Sequence, residues 1–195
     1  MTYLNRMSLL ASLLLFLVVA SAQTANAQMW EVDKNHSAVT FKVKHFFTPV
    51  NGKFNDYAIE LNFNPENLDE SSINAEIQVA SIDTDNAKRD SDLRSDSFFD
   101  AETFPTITFK SNAIKSLGEN QYVASGKLKI KDVEKDVELP FTLLGTAEMR
   151  GRTVGSFQSN TSIMRNDYGV GTGNWVATTV VADEVQVEIL LETRQ

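Results

Sequence analysis

The feature that most constrains this chain is a repeated alternation of apolar and polar residues with a period of two. Val39, Phe41 and Val43 alternate with Thr40, Lys42 and Lys44 in the first such segment. The same pattern returns at 57–63, 73–79, 127–131, 137–143 and 184–191, and more weakly at 106–111 and 155–163. Alternation of this kind indicates strands with one buried and one solvated face, so the sequence predicts about eight strands.

The connections between these segments decide how the strands are arranged. Most of them are short turns rich in Asn and Gly, such as Val50-Asn51-Gly52, and are too short to hold a crossover helix. We therefore expect an all-β, antiparallel fold of about eight strands, a sandwich or a barrel, with hairpins favouring an up-and-down barrel. Closure into a barrel also removes exposed strand edges.

One segment, 86–99, shows no alternation and predicts a short helix from Ala87 to Ser95. Asp85 or Asn86 would cap its start. Asp90 and Arg94 have the spacing of a surface ion pair on a helix. Leu93 would supply an apolar contact to the barrel.

The apolar set of the alternation would face the barrel interior, which for eight strands holds side chains or one small ligand. Any internal ligand should be apolar, because the inward set consists of Val, Ile, Leu and Phe. The residues predicted to line the interior and contact such a ligand are Phe41, Val43, Ile59, Leu61, Ile77, Val79, Leu93, Phe109, Leu128, Ile130, Phe141, Val187 and Ile189.

The first 27 residues differ from the rest and resemble a secretory signal peptide. Arg6 precedes a 12-residue apolar run from Leu9 to Ala20, and a small polar stretch ends in Ala25-Asn26-Ala27. As a helix the apolar run would span about 18 Å, short of the roughly 30 Å hydrocarbon core of a bilayer. We expect cleavage after Ala27, a single domain over 28–195, no integral membrane segment in it, and a soluble periplasmic or secreted product.

Composition excludes several classes of function. The formal net charge of -8 disfavours nucleic acid as a partner, and the absence of Cys removes disulfides and thiolate chemistry. Two histidines without cysteine predict no structural metal site and no cofactor. The aspartates after Asp83 do not fit a calcium-binding loop, because Lys88 and Arg94 occupy positions that require Gly and Glu.

Three polar side chains are candidates for the open end of the barrel. His45 falls on the inward set at a strand end, where it would contact a ligand head group or serve as a structural histidine. Arg89 and Arg94 would bind an anionic head group there, or pair with Asp85 and Asp90.

Several segments together resemble the YceI-like polyisoprenoid-binding family. They are WEVDKNHSAVTFKVKHF, VNGKF, SIDTDNAKRDSDLRSDSFFDAETFPTITFKS, GKLKIKDVEKDVELPF and IMRNDYGV, and they span Trp30 to about Glu192. The resemblance implies a lipocalin-like barrel, exported, with an isoprenoid chain of the polyprenyl phosphate or quinone type in its interior. Asp92 stands where many members have a His before Leu-Arg-Ser, which changes the local charge near a head group.

These observations predict a protein that binds an isoprenoid lipid for storage or transport and has no catalytic activity. One alternative is an enzyme that acts on an isoprenoid lipid with His45 and a nearby carboxylate. Another is a structural barrel filled by its own 12 Phe side chains. The oligomeric state stays open between a monomer and a homodimer.

Overall fold

The structure, a computed structural model, describes residues 28–195. One continuous sheet holds β1 Met29–Val32, β2 Ala38–His45, β3 Thr48–Phe54, β4 Tyr57–Asn62, β5 Ser72–Gln78, β6 Ile82–Asp83, β7 Thr106–Gly118, β8 Gln121–Ile130, β9 Val133–Met149, β10 Arg152–Met164 and β11 Val181–Arg194. One α-helix, α1, spans Ala87–Arg94. Short 3-10 helices span Leu68–Glu70, Val79–Ser81, Arg165–Tyr168 and Gly173–Val176.

These eleven segments form an eight-stranded antiparallel barrel, because three of its strands are each interrupted once. β1 and β2 follow one another along the same edge of β11. β4 and β3 pair with them on the other side, and β5 and β6 pair with β4 and β3. β7 to β11 then follow in chain order, and the pairing of β1 with β11 closes the ring. The predicted all-β, eight-stranded barrel is confirmed.

The interruptions lie where the residues favour turns. Asp33 accepts a hydrogen bond from the Asn35 backbone N–H through its side chain, which forms a local turn between β1 and β2. Asn55 and Asp56 separate β3 from β4, and both residue types are depleted in strands. The third break, between β5 and β6, is the 3-10 helix Val79–Ser81.

Buried aromatic rings fill one end of the barrel. Phe63 is fully buried and makes edge-on contacts with the rings of Tyr122, Phe141 and Phe157. Trp30 packs edge-on against Phe157 and donates from Nε1 to the Phe63 carbonyl oxygen over 2.9 Å. This cluster, which we call the aromatic plug, leaves the ligand-sized space in the other part of the barrel.

Helix α1 and the irregular chain after it connect β6 to β7. Asn86 caps the helix by accepting a hydrogen bond from the Arg89 backbone N–H, as the sequence predicted. The predicted pair between Asp90 and Arg94 is wrong. Asp90 is buried and accepts from both the backbone N–H and the hydroxyl of Thr84, so it is not available to Arg94.

No helix within residues 28–195 is both long and apolar enough to cross a membrane. The predicted signal peptide, 1–27, lies outside the described residues.

Candidate functional site

An apolar cavity of about 440 Å³ occupies the barrel interior beyond the aromatic plug. Its volume falls within the range of about 300–1,000 Å³ that is usual for small-molecule sites. The walls come from β2, β3, β5, β7, β8, β9, β10 and β11, and Leu93, Phe98 and Phe99 come from α1 and the chain after it. Because nearly all lining side chains are aliphatic or aromatic, the cavity favours hydrocarbon.

Most of the residues predicted to line the interior, from strand alternation and, for Leu93, from the short helix, do line this cavity. They are Phe41, Val43, Ile77, Leu93, Phe109, Leu128, Ile130, Val187 and Ile189. Contact of these side chains with a ligand stays a prediction. Sequence analysis did not single out other lining residues, among them Phe54, Phe98, Phe99 and Val170, because they lie at strand ends or in irregular segments.

Three of the predicted residues lie deeper. Ile59, Leu61 and Phe141 line a second void of about 50 Å³, which lies between the cavity and the aromatic plug. Phe109, Leu139 and Ile189 line both spaces and so form the partition between them. The barrel interior therefore holds two spaces, with a constriction at Phe109 between them.

Val79 does not line the cavity, contrary to the prediction. It is buried within the 3-10 helix Val79–Ser81, where the backbone leaves the strand and alternation stops applying. Its side chain belongs to the packed core around Ile82 and Phe98.

His45 also lies outside the cavity. Its side chain is exposed and its ring lies 4.8 Å from that of Phe46, centre to centre. His45 is the last residue of β2, next to the turn into β3, and β11 carries two extra residues between its pairings with Val43 and His45, so the barrel wall is irregular at this end. The prediction that His45 faces inward is wrong.

Arg89 and Arg94 have other partners than those predicted. Arg89 donates from Nε to the Thr84 hydroxyl and from a terminal nitrogen to the Thr84 carbonyl oxygen, both over 2.7 Å. Arg94 donates to the Ala80 carbonyl oxygen over 3.1 Å. Neither residue lines the cavity, and among residues 28–195 neither forms an ion pair with Asp85 or Asp90. Both arginines anchor α1 to the preceding chain.

Arg165 is the charged residue that sequence analysis missed. It is 5 % exposed, lines the cavity, and donates to four backbone carbonyl oxygens and to the side chain of Asn166. Burial lowers its pKa, against the opposing effect of Asp183. Arg165 begins the 3-10 helix Arg165–Tyr168 directly after β10, two residues beyond the inward-facing Ile163. Its donors hold Val170, Trp175 and Val181, so it fixes the loop at this end of the cavity.

The barrel wall is open between β9 and β10. Their ladder ends at the pair of Thr142 and Gln158. Beyond it, residues 133–140 pair with β8 and residues 159–164 pair with β11, with no bridge between these two edges in the described chain. Pro140 lacks the N–H needed to extend a ladder, and Ser159 Oγ donates to its carbonyl oxygen over 2.6 Å at the end of the gap.

A polar cluster on the barrel exterior joins β1 to β11. His36 Nδ1 lies 3.2 Å from Asp33 Oδ2 and 3.7 Å from Glu192 Oε1, and Arg194 also binds Asp33. The hydrogen bond with His36, followed by that from the Asn35 backbone, holds the pKa of Asp33 below its ordinary value of 3.8. The carboxylates of Asp33 and Glu192 and the imidazole of His36 lie close enough together to reach one metal ion. The guanidinium of Arg194, however, already neutralises Asp33.

Comparison with known proteins identifies the family. Residues 30–193 match the family model described as the YceI-like domain. The chain belongs to the YceI-like family. A UPF0312 protein of Pectobacterium carotovorum is 32% identical over 167 residues, which cover 84% of this chain and 86% of that protein. A UPF0312 protein of Photorhabdus laumondii is 34% identical over 132 residues, covering 67% and 68%.

Solved structures extend the comparison to three dimensions. The crystal structure of BcnA from Burkholderia cenocepacia has a TM-score of 0.76 at 33% identity, and the match covers 83% of this chain and 99% of BcnA. A protein of Saccharophagus degradans, described as a polyisoprenoid binding domain, has a TM-score of 0.61 at 16% identity, covering 86% and 98%. The second likeness shows that this chain shares the fold of that domain.

Proposed function

We propose that this YceI-like protein is exported and binds the hydrocarbon chain of a polyisoprenoid lipid, for storage or transport and without catalysis. The observation that carries the proposal is the apolar cavity of about 440 Å³ inside the barrel. The description of the Saccharophagus degradans neighbour as a polyisoprenoid binding domain supports the choice of lipid. The signal-peptide pattern in residues 1–27 supports export.

The size of the cavity sets the length of chain it can hold. At roughly 30 Å³ per carbon, close to the volume of one liquid water molecule, the cavity accommodates about 15 carbons, or three isoprene units. Burial of three units would contribute up to about 12 kcal/mol, at roughly 0.8 kcal/mol for each carbon. Association and chain ordering offset several kcal/mol of this, which leaves useful affinity.

The polar groups of the site favour binding over catalysis. The alternative of a lipid-directed enzyme relied on His45 as a base, and His45 lies outside the cavity on the exposed end of β2. Arg165 directs its N–H groups at protein oxygens and so is not free to bind an anionic head group. We therefore expect the hydrocarbon chain inside and the head group outside.

The test is native mass spectrometry of protein purified from its own compartment, together with a matched pair of variants. Ile77→Trp narrows the cavity, whereas Leu190→Trp adds the same ring on the exposed outer face of β11. We expect wild type and Leu190→Trp to carry a lipid at equal stoichiometry, and folded Ile77→Trp to carry less. Wild-type protein that carries no lipid and takes up none in vitro would overturn the proposal. Sequencing of the mature N-terminus tests export, with Gln28 the expected first residue.

A further inference from the structure

The gap between β9 and β10 connects the cavity to the exterior. Val137, Glu138 and Leu139 line the cavity from one edge, and Thr161, Ser162 and Ile163 line it from the other. Glu138 and Ser162 are exposed, although their neighbours on both strands face inward. The cavity therefore reaches the surface through the side of the barrel, between two strand edges that we call the β9–β10 slit.

An open slit between two strands is energetically unfavourable unless a ligand or another group occupies it. Backbone N–H and C=O groups along an unpaired edge lose the partners that a closed barrel supplies. The same two strands form a ladder, with one register shift between Ser156 and Phe157, from Met149 and Arg152 to Thr142 and Gln158. Pro140 lies two residues beyond the last pair of this ladder and has no N–H with which to continue it.

Side-chain contacts bound the slit at its other end. Lys135 Nζ on β9 lies 2.9 Å from Asp167 Oδ2 in the 3-10 helix that follows β10. Lys135 also lies over the ring of Tyr168, and Lys131 Nζ donates to the Gly169 carbonyl oxygen over 3.1 Å. Lys135 and Asp167 are both substantially exposed, and an exposed ion pair of this type contributes only about 0–1 kcal/mol. Such a contact can open and close readily.

The length of the proposed ligand gives the slit a role. The cavity holds about three isoprene units, and the aromatic plug blocks the barrel beyond the smaller void. The loop held by Arg165 covers the end near Val170 and Val181. We propose that the prenyl chain enters and leaves through the β9–β10 slit, that the surplus of a longer chain lies in it, and that Lys135 and Asp167 form its latch. This inference rests on the proposed function.

The absence of Cys allows a clean cross-linking test. Continuing the register of β9 and β10 places Glu138 opposite Ser162, both on the outer face. In Glu138→Cys/Ser162→Cys, a short bis-maleimide would bridge the slit. In the control Thr108→Cys/Lys129→Cys, the same reagent joins β7 to β8, where residues 108 and 129 are paired and line neither the cavity nor the slit. Uptake of geranylgeraniol from vesicles is measured for each protein before and after cross-linking.

We expect the bridge across the slit to slow uptake on the order of tenfold or more, as closing the access path of a binding site does, while the control bridge leaves the rate unchanged. Equal uptake rates for the two cross-linked proteins would overturn the proposal that the chain enters through the slit, and would point to entry past the loop that Arg165 holds. If the unmodified protein takes up no prenyl alcohol at all, the proposed function fails instead. The two failures are therefore distinguishable.

Charge variants test the latch separately. Lys135→Met and Asp167→Asn should each raise the uptake rate by up to about fivefold, the equivalent of an ion pair of about 1 kcal/mol. The exchanged pair Lys135→Asp/Asp167→Lys should restore the wild-type rate, whereas each single reversal should not. Rates that do not differ among these variants would remove the latch from the proposal.

Discussion

Phe109 is placed to limit the length of chain that the barrel holds. Its side chain is 7 % exposed and separates the 440 Å³ cavity from the 50 Å³ void. Phe109→Ala would join the two spaces and free on the order of 100 Å³ more, room for about one further isoprene unit at roughly 30 Å³ per carbon. The variant should therefore accept a longer chain than wild type.

The same change has a cost in stability. Truncation of a buried Phe to Ala destabilises a domain by about 3–5 kcal/mol, out of a typical total of about 5–15 kcal/mol. A ligand that fills the enlarged space should recover part of this loss. The melting temperature of Phe109→Ala should then rise more on adding geranylgeraniol than that of wild type does. Phe109→Leu provides a milder variant if Phe109→Ala does not fold.

The assay compares affinities for geraniol, farnesol and geranylgeraniol, which carry two, three and four isoprene units. Wild-type affinity should stop rising at farnesol, whereas Phe109→Ala should bind geranylgeraniol tighter than farnesol by on the order of tenfold. Phe63→Ala is the control, because Phe63 is buried in the aromatic plug and lines neither space. A folded Phe109→Ala with the wild-type length preference would show that Phe109 is not the constriction.

Three further predictions concern stability. The Tyr57 hydroxyl is buried without a hydrogen-bond partner among the described residues, so Tyr57→Phe should be neutral or stabilising by about 1 kcal/mol in urea denaturation; a clear loss would reveal a partner. The lowered pKa of Asp33 stabilises the fold above its ordinary value of 3.8, and this contribution disappears as the pH falls through the folded-state pKa. Asp33→Asn should therefore lower the free energy of unfolding at neutral pH and make it fall less steeply below about pH 4. The same fall below about pH 4 in the variant as in wild type would contradict this. A Cβ at Gly126 would lie 2.4 Å from a backbone carbonyl oxygen, so Gly126→Ala should cost about 1–3 kcal/mol, whereas Gly145→Ala, with open space around it, should lower the melting temperature little.

The candidate site shows where inference from sequence stops. Alternation correctly placed Ile77, Leu128 and Val187 on the cavity wall, because each lies within a regular strand. It failed for Val79, which lies in a 3-10 helix where side chains no longer alternate, and for His45, which lies at the end of β2 where the chain turns into β3. The predicted pairing of Arg89 and Arg94 with Asp85 and Asp90 was wrong, since their acceptors are set by how α1 packs on the chain before it.

The sequence alone determined the class of fold, because period-two alternation with short turns leaves antiparallel strands as the way to bury one face of each segment. Its apolar inward set also predicted an apolar interior, and most of those side chains line the cavity. Only the tertiary structure decided how the interior is divided between the aromatic plug, the constriction at Phe109 and the cavity. It likewise decided that Pro140, one residue within a regular alternation, marks an opening in the wall. The division of the interior and the opening at Pro140 both depend on which strands pair and where their ladders end. These are contacts between distant segments, which local patterning does not encode.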